Sequence, residues 1–145
     1  MSTQNPRAAD MGLLARAPTD LLAQLFPDLP AHTLLRGPEI GTVMVRGRQG
    51  GTGAPFNLGE VTVTRCSLRL DCGAVGHAHV QGRDKGHALR AAALDALLQT
   101  GSAEGVRATV LAPLAKAEKD ARDLRACKAA ATKVEFFTMV RGDVE

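Results

Sequence analysis

Residues 41–70 read GTVMVRGRQGGTGAPFNLGEVTVTRCSLRL, and this stretch decides the fold. Val43 and Val45 alternate with Thr42, Met44 and Arg46, a period of two that predicts a strand over 41–48. A glycine-rich stretch follows. Gly50, Gly51 and Gly53 free the backbone to take positive φ and to approach another group closely. Arg46 and Arg48 set fixed positive charge beside it, which suits a phosphate or the carboxylates of another chain. The plainer reading is a long glycine-rich hairpin. A second strand is expected over 59–70. Its pattern slips: Val61 and Val63 fall on one parity, and Cys66, Leu68 and Leu70 on the other. A bulge near Thr64–Arg65 would swap the faces in this way.

Outward from that hairpin, Asp71 to Gly73 reads as a turn and 74–81 as a third antiparallel strand. Asp84 is placed to cap a helix over 84–99. Leu89, Ala93 and Leu97 stack on one side of it, with Arg90, Asp95 and Gln99 expected in water. Residues 105–112 fit a strand or a short helix equally. Pro113 opens a long helix to about Ala131, with Lys116–Asp120, Glu118–Arg122 and Lys119–Asp123 as i,i+4 pairs. The segment 133–140 is apolar on nearly both faces, the pattern of a central strand. At the other end, residues 1–5 read as disordered. Asn5 and Pro6 open a helix to Ala17, and Thr19 caps a second helix through Phe26. Residues 31–39 are ambiguous. The expectation is an α+β single domain over 1–145. It holds a mostly antiparallel four-to-five-stranded sheet, with helices on one face and the N-terminal helices at an edge.

A chain of 145 residues is long enough for one core without staples. The hydrophobic fraction is 45%, but the aromatic fraction is 3%, with no Trp or Tyr. The core therefore rests on Ala, Val and Leu, which bury less area each, and such a core gains from a partner. A net charge of +3 and few aromatics argue against nucleic-acid binding. No apolar run approaches the length of a membrane span, and the polar N-terminus lacks a secretory h-region. Cys66, Cys72 and Cys127 lack CxxC spacing and read as free buried thiols of a reducing cytoplasm.

The chemistry-bearing residues are scattered. The glycine-rich loop lacks the Gly-Lys-Ser/Thr end of a P-loop, and GxGxxG is absent. Arg65, if it points inward, needs a carboxylate, for which Glu60, Asp84 and Glu135 are candidates; otherwise it faces a ligand. Arg83 and Lys85 flank the cap Asp84 and could reach an anion there. Arg141 ends the last strand. His77 and His79 share a strand face, with His87 nearby, but no carboxylate or Cys completes a metal set. No His–Asp arrangement can be placed beside a Cys, so no catalytic residue and no metal ligand is assigned.

Three ordered blocks carry a family likeness: Arg48-Gln49-Gly50-Gly51-Thr52-Gly53 with Phe56, Gly59 and Thr64-Arg65; Gly82-Arg83-Asp84-Lys85 with His87-Ala88; and Phe136-Phe137-Thr138-Met139-Val140-Arg141-Gly142. Together they resemble the PhnG family, the G subunits of the bacterial carbon–phosphorus lyase system, from about Met11 to Asp143. The resemblance implies an obligate, non-catalytic cytoplasmic subunit with partner subunits H, I, J and L, present in two copies in a two-fold core complex. That complex displaces adenine from ATP with a phosphonate, forming ribose 1-methylphosphonate 5-triphosphate. ATP is then the substrate of the complex, no cofactor belongs to this chain, and the isolated chain is expected to be inactive. The partner- or phosphate-contacting candidates are Arg46, Arg48, Gly50, Gly51, Gly53, Arg65, Arg83 and Arg141. Given the likeness, the loop is expected to pack into a neighbouring subunit. The rival reading is a small phosphate- or phosphonate-binding domain or enzyme built on the arginine cluster.

Overall fold

The computed structural model describes residues 5–134. Helix α1 (Pro6–Arg16) begins as its sequence requires. Asn5 accepts from the Arg7 N–H at 3.1 Å, and Pro6 takes the first turn. Helix α2 (Thr19–Leu25) follows, but Thr19 lies inside it and Pro18 precedes it, so the expected Thr19 cap does not form. The Thr19 hydroxyl is instead 3.3 Å from Nδ1 of His87.

Three strands form one antiparallel sheet in the order β1 (His32–Arg48), β2 (Pro55–Leu70), β3 (Val75–Gln81). Among the described residues this is fewer than the four to five expected. The segment proposed as a further strand, 133–140, lies outside the described residues beyond Val134. Strand β1 starts at His32 because residues 32–36 pair with 67–70 of β2, a tertiary gain that their local pattern does not reveal. Pro38 is tolerated because no described strand pairs on the outer side of β1.

The bulge expected near Thr64–Arg65 is not there. β2 and β3 pair without a break from Val63 to Arg69. The shifts lie between Leu34 and Glu39 and at Val45/Arg46, where Leu58 is the extra residue on β2. The parity slip has another cause. On the face shared by Thr64, Cys66, Leu68 and Leu70 the base of the sheet is buried; Val61 and Val63 belong to the opposite face, where Val63 is also buried, at 4% exposed, but apart from the main core cluster.

Helix α3 (Lys85–Leu97) covers the buried face. Asp84 caps it by accepting from the His87 N–H at 2.8 Å. The helix carries alanine on nearly every side, and Ala88, Ala91, Ala92, Ala93 and Ala96 are all buried. Small side chains let strand and helix approach closely. A Cβ on Gly76 would stand 1.9 Å from the Ala92 carbonyl oxygen, so only glycine fits there. Of the three residues expected in water only Gln99 is exposed, and it also donates to the Val75 carbonyl at 2.8 Å; Asp95 is 1% exposed, and Arg90 is half-buried and donates to the Phe26 carbonyl at 3.2 Å. Helix α1 and the edge of β3 occupy that side.

The segment 103–111 is helical, resolving the ambiguity there: α4 (Ala103–Val106) runs through a π turn at Arg107–Leu111 into α5 (Ala112–Ala131). Pro113 has no N–H to give and crowds the carbonyl four residues back, and the wider π turn just before it relieves both. Of α5 only Leu114 is buried. The Lys116–Asp120 and Lys119–Asp123 pairs form as expected, but Glu118 turns to Arg16 of α1, at 2.7 Å, and not to Arg122. Among the described residues no helix is long and apolar enough to cross a membrane.

Candidate functional site

The hairpin of β1 and β2 is an arm. No residue from His32 to Glu60 is buried, while the lower half of β2 runs through the core. At the tip a 3-10 turn spans Gln49–Gly51, with Gly50 and Gly51 at φ of 59° and 81°. Both angles are left-handed, which is why glycine stands there. The Gly53 N–H donates to the Gln49 carbonyl at 2.9 Å, and Arg48 Nη1 donates to the Gly53 carbonyl at 3.2 Å. Arg48 thus closes its own turn. Arg46 sits opposite Asn57 and is exposed.

Arg65 lies elsewhere, on the sheet face that α3 does not cover, between Glu39 of β1 and His79 of β3. Arg46 stands about 24 Å along β1 from Glu39, at roughly 3.4 Å per residue. Neither Glu60 nor Asp84 pairs with Arg65, and Glu135 is outside the described residues. The carboxylate opposite, Glu39, is held by Arg36 at 2.8 Å. Arg65 Nε is buried without a hydrogen-bond partner.

Arg83 is exposed just after Gly82, whose φ of 99° turns the chain off the sheet toward α3. That turn is pinned to β2: the Gly82 N–H donates to the Thr62 carbonyl at 2.9 Å, and the Thr64 hydroxyl donates to the Gly82 carbonyl at 2.8 Å. Asp84 is committed to its cap. The His87 N–H holds its carboxyl below the ordinary range, with the Thr19 hydroxyl assisting. Arg141 is outside the described residues. The arginines therefore stand at separate places: Arg46 and Arg48 at the arm tip, Arg65 at the arm's root, and Arg83 past the end of β3.

His77 and His79 point from β3 on the same face as Arg65. The Ser67 hydroxyl is 2.8 Å from Nδ1 of His77. His87 is buried on the other side: its Nε2 donates to the Leu14 carbonyl at 2.7 Å, so the ring ties α3 to α1 and does not join the other two. Among the described residues no three His, Cys, Asp or Glu side chains gather as a metal site would require. Only Cys66 is a buried thiol, and burial pushes its pKa up, away from a reactive thiolate; Cys72 and Cys127 are exposed, against expectation.

One working residue escaped the sequence reading. Asp95 accepts Nε and Nη2 of Arg7, at 3.0 and 2.8 Å, and the His77 backbone N–H at 2.9 Å. It fastens α1 and the edge of β3 to α3. The signal was available: a helix apolar on every side is surrounded on every side, so its lone acid has to be paired.

Residues 5–142 match the family described as phosphonate metabolism protein PhnG. A relative in Rhizobium meliloti (strain 1021), named alpha-D-ribose 1-methylphosphonate 5-triphosphate synthase subunit PhnG, is 48% identical over 141 residues, spanning 94% of this chain and 90% of its own length. The likeness carried by the arginine–glycine loop, the Gly82–Ala88 block and the aromatic C-terminal block is thereby borne out, and the chain belongs to the PhnG family.

Proposed function

We propose that this chain is a non-catalytic, obligate subunit of a ribose 1-methylphosphonate 5-triphosphate synthase in phosphonate catabolism. The observation that carries this reading is the arm: beyond Gly41 and Val63 the sheet is two-stranded, and no residue from His32 to Glu60 is buried. An isolated two-stranded ribbon is marginal in water, so it needs something to rest on. Met44, Phe56 and Leu58 on it, and Leu34, Leu35 and Ile40 along the β1 edge at its root, are all large, apolar and exposed. Among the described residues no strand pairs with the outer edge of β1, which leaves a row of backbone groups there. In the assembly this sheet reaches four or five strands by pairing along that edge. The relative's name supports the enzyme to which the subunit belongs.

The partners are the H, I, J and L subunits, with this chain in two copies in a two-fold cytoplasmic core. ATP is the substrate of the complex and reaches no dedicated site in this chain. The separation of the arginines favours this reading over a self-contained phosphate-binding enzyme, which requires them to converge. Co-expression with the remaining subunits, followed by sizing, tests it. The expected result is one large species holding this chain, while the chain alone hydrolyses no nucleotide. A monomeric chain that ignores the other subunits, or cleaves ATP unaided, overturns it.

A further inference from the structure

The uncovered sheet face is laid out in two zones. Paired residues of antiparallel strands share a face, so Val43 with Val61, and Gly47 with Phe56, project to the same side. Leu58 joins them: both its side chain and that of Phe56 lie 3.9 Å from where a Gly47 Cβ would stand. The extra residue at Leu58 is what brings Phe56 and Leu58 onto the face of Val61 despite their even numbers. The distal zone is thus an apolar strip of Val43, Val45, Phe56, Leu58 and Val61, with Leu58 66% exposed. The other side of the same stretch carries Thr42, Met44, Glu60 and Thr62 and is mostly polar.

The strip runs into a cationic zone at the arm's root. Arg36, Arg65, Arg69, His77 and His79 share that face, and Glu39, already held by Arg36, is the one carboxylate on it among the described strands. Gly41 gives Arg65 its berth, since a Cβ there would meet Nη2 at 3.1 Å. Nε is buried and has no hydrogen-bond partner among the described residues. A buried donor left unmade costs about 1–3 kcal/mol, more for a charged group, and turning the guanidinium outward to meet a partner's carboxylate removes that cost.

We propose that this face is where a partner subunit of the synthase docks, laying an apolar segment across Phe56, Leu58 and Val61 and giving a carboxylate to Arg65. The inference rests on the subunit reading above and adds the surface and the chemistry of its occupant. The apolar strip supplies area; the arginine fixes register, because a guanidinium fork accepts a carboxylate in one orientation.

The test is co-expression of variants with the remaining subunits, read as the fraction of this chain recovered in the large species. Leu58→Asp and Arg65→Gln each lower that fraction about tenfold or more. Thr42→Asp, on the opposite side of the arm and also exposed, leaves it unchanged. All three keep the wild-type circular dichroism, since none removes a core side chain. Wild-type recovery of both Leu58→Asp and Arg65→Gln, in a preparation where the unaltered chain assembles, overturns the docking face and leaves the subunit reading intact. A Leu58→Asp effect confined to self-association of the isolated chain also overturns it, by making a second copy the occupant. Failure of the unaltered chain to assemble removes both readings.

Discussion

Arg7 at the start of α1 and Asp95 in the middle of α3 form a two-pronged ion pair across 88 positions of sequence, at 3.0 and 2.8 Å. The carboxylate is 1% exposed, while the arginine remains 42% exposed. The two ends therefore respond differently to loss of the other. Arg7→Ala strands a carboxylate with one backbone N–H, whereas Asp95→Asn lets the arginine turn to water. Arg7→Ala is expected to cost about 1–3 kcal/mol in chemical denaturation. Adding Asp95→Asn to it should restore part of the loss, because the stranded charge is then gone. Strict additivity of the two losses would deny the pair its structural role.

How much of this was written locally explains what was legible. The Asn5 and Asp84 caps, strand β3 and the spans of α3 and α5 follow from residues a few positions apart, and the sequence reading places them. Asp95 depends on where α1 comes to lie, and Gln99 on where β3 begins, which no local pattern holds. The slip between Val63 and Cys66 was visible, but a bulge and a strand that is apolar on two faces in turn give the same string. Only the pairing partners separate them. Arg65 was singled out as needing a carboxylate, but neither Glu60 nor Asp84 pairs with it, and Arg46 and Arg48, grouped with it in the sequence, stand at the far end of the arm.

Gly76 sets the distance between β3 and α3. Gly76→Ala would press a methyl against the Ala92 carbonyl oxygen and the Ala96 backbone nitrogen, neither of which can yield without moving the helix. The expected loss lies at the upper end of the roughly 1–3 kcal/mol typical of overpacked sites. Gly37→Ala, where nothing stands within 4 Å, is the matched control and should leave the melting temperature in place. Equal melting of the two variants would mean the close approach is not tight.

Asp84 makes α3 acid-sensitive. Its carboxyl is held below the ordinary value, first by the His87 N–H, so it binds a proton less readily folded than unfolded. The cap's contribution is therefore fully present above the unfolded value, near pH 4, and is lost as pH falls through the lower folded value. Asp84→Ala should cost about 1 kcal/mol near neutrality. The gap between variant and wild type should close in acid. A gap that stays constant down to about pH 2.5 would show that the charged carboxylate is not the capping group.

The three thiols should separate by accessibility. Cys72 and Cys127 are exposed and react at once with an aromatic disulfide reagent, while Cys66 waits for unfolding because it is buried and its thiol is harder to ionise. Adding denaturant should release the third equivalent in step with loss of helix signal. Three thiols reacting together in native buffer would place Cys66 outside the core.

Gly53 separates arm shape from domain stability. A Cβ there would stand 2.6 Å from the Gln49 carbonyl oxygen, so Gly53→Ala breaks the tip turn and frees Arg48 from the Gly53 carbonyl. The tip touches no part of the core, so the melting temperature should stay near that of the wild type. Assembly is another matter. If the arm enters a neighbouring subunit, a distorted tip lowers recovery of this chain in the complex while its own fold persists. Reduced stability with normal assembly would reverse that assignment, tying the tip to folding and not to docking.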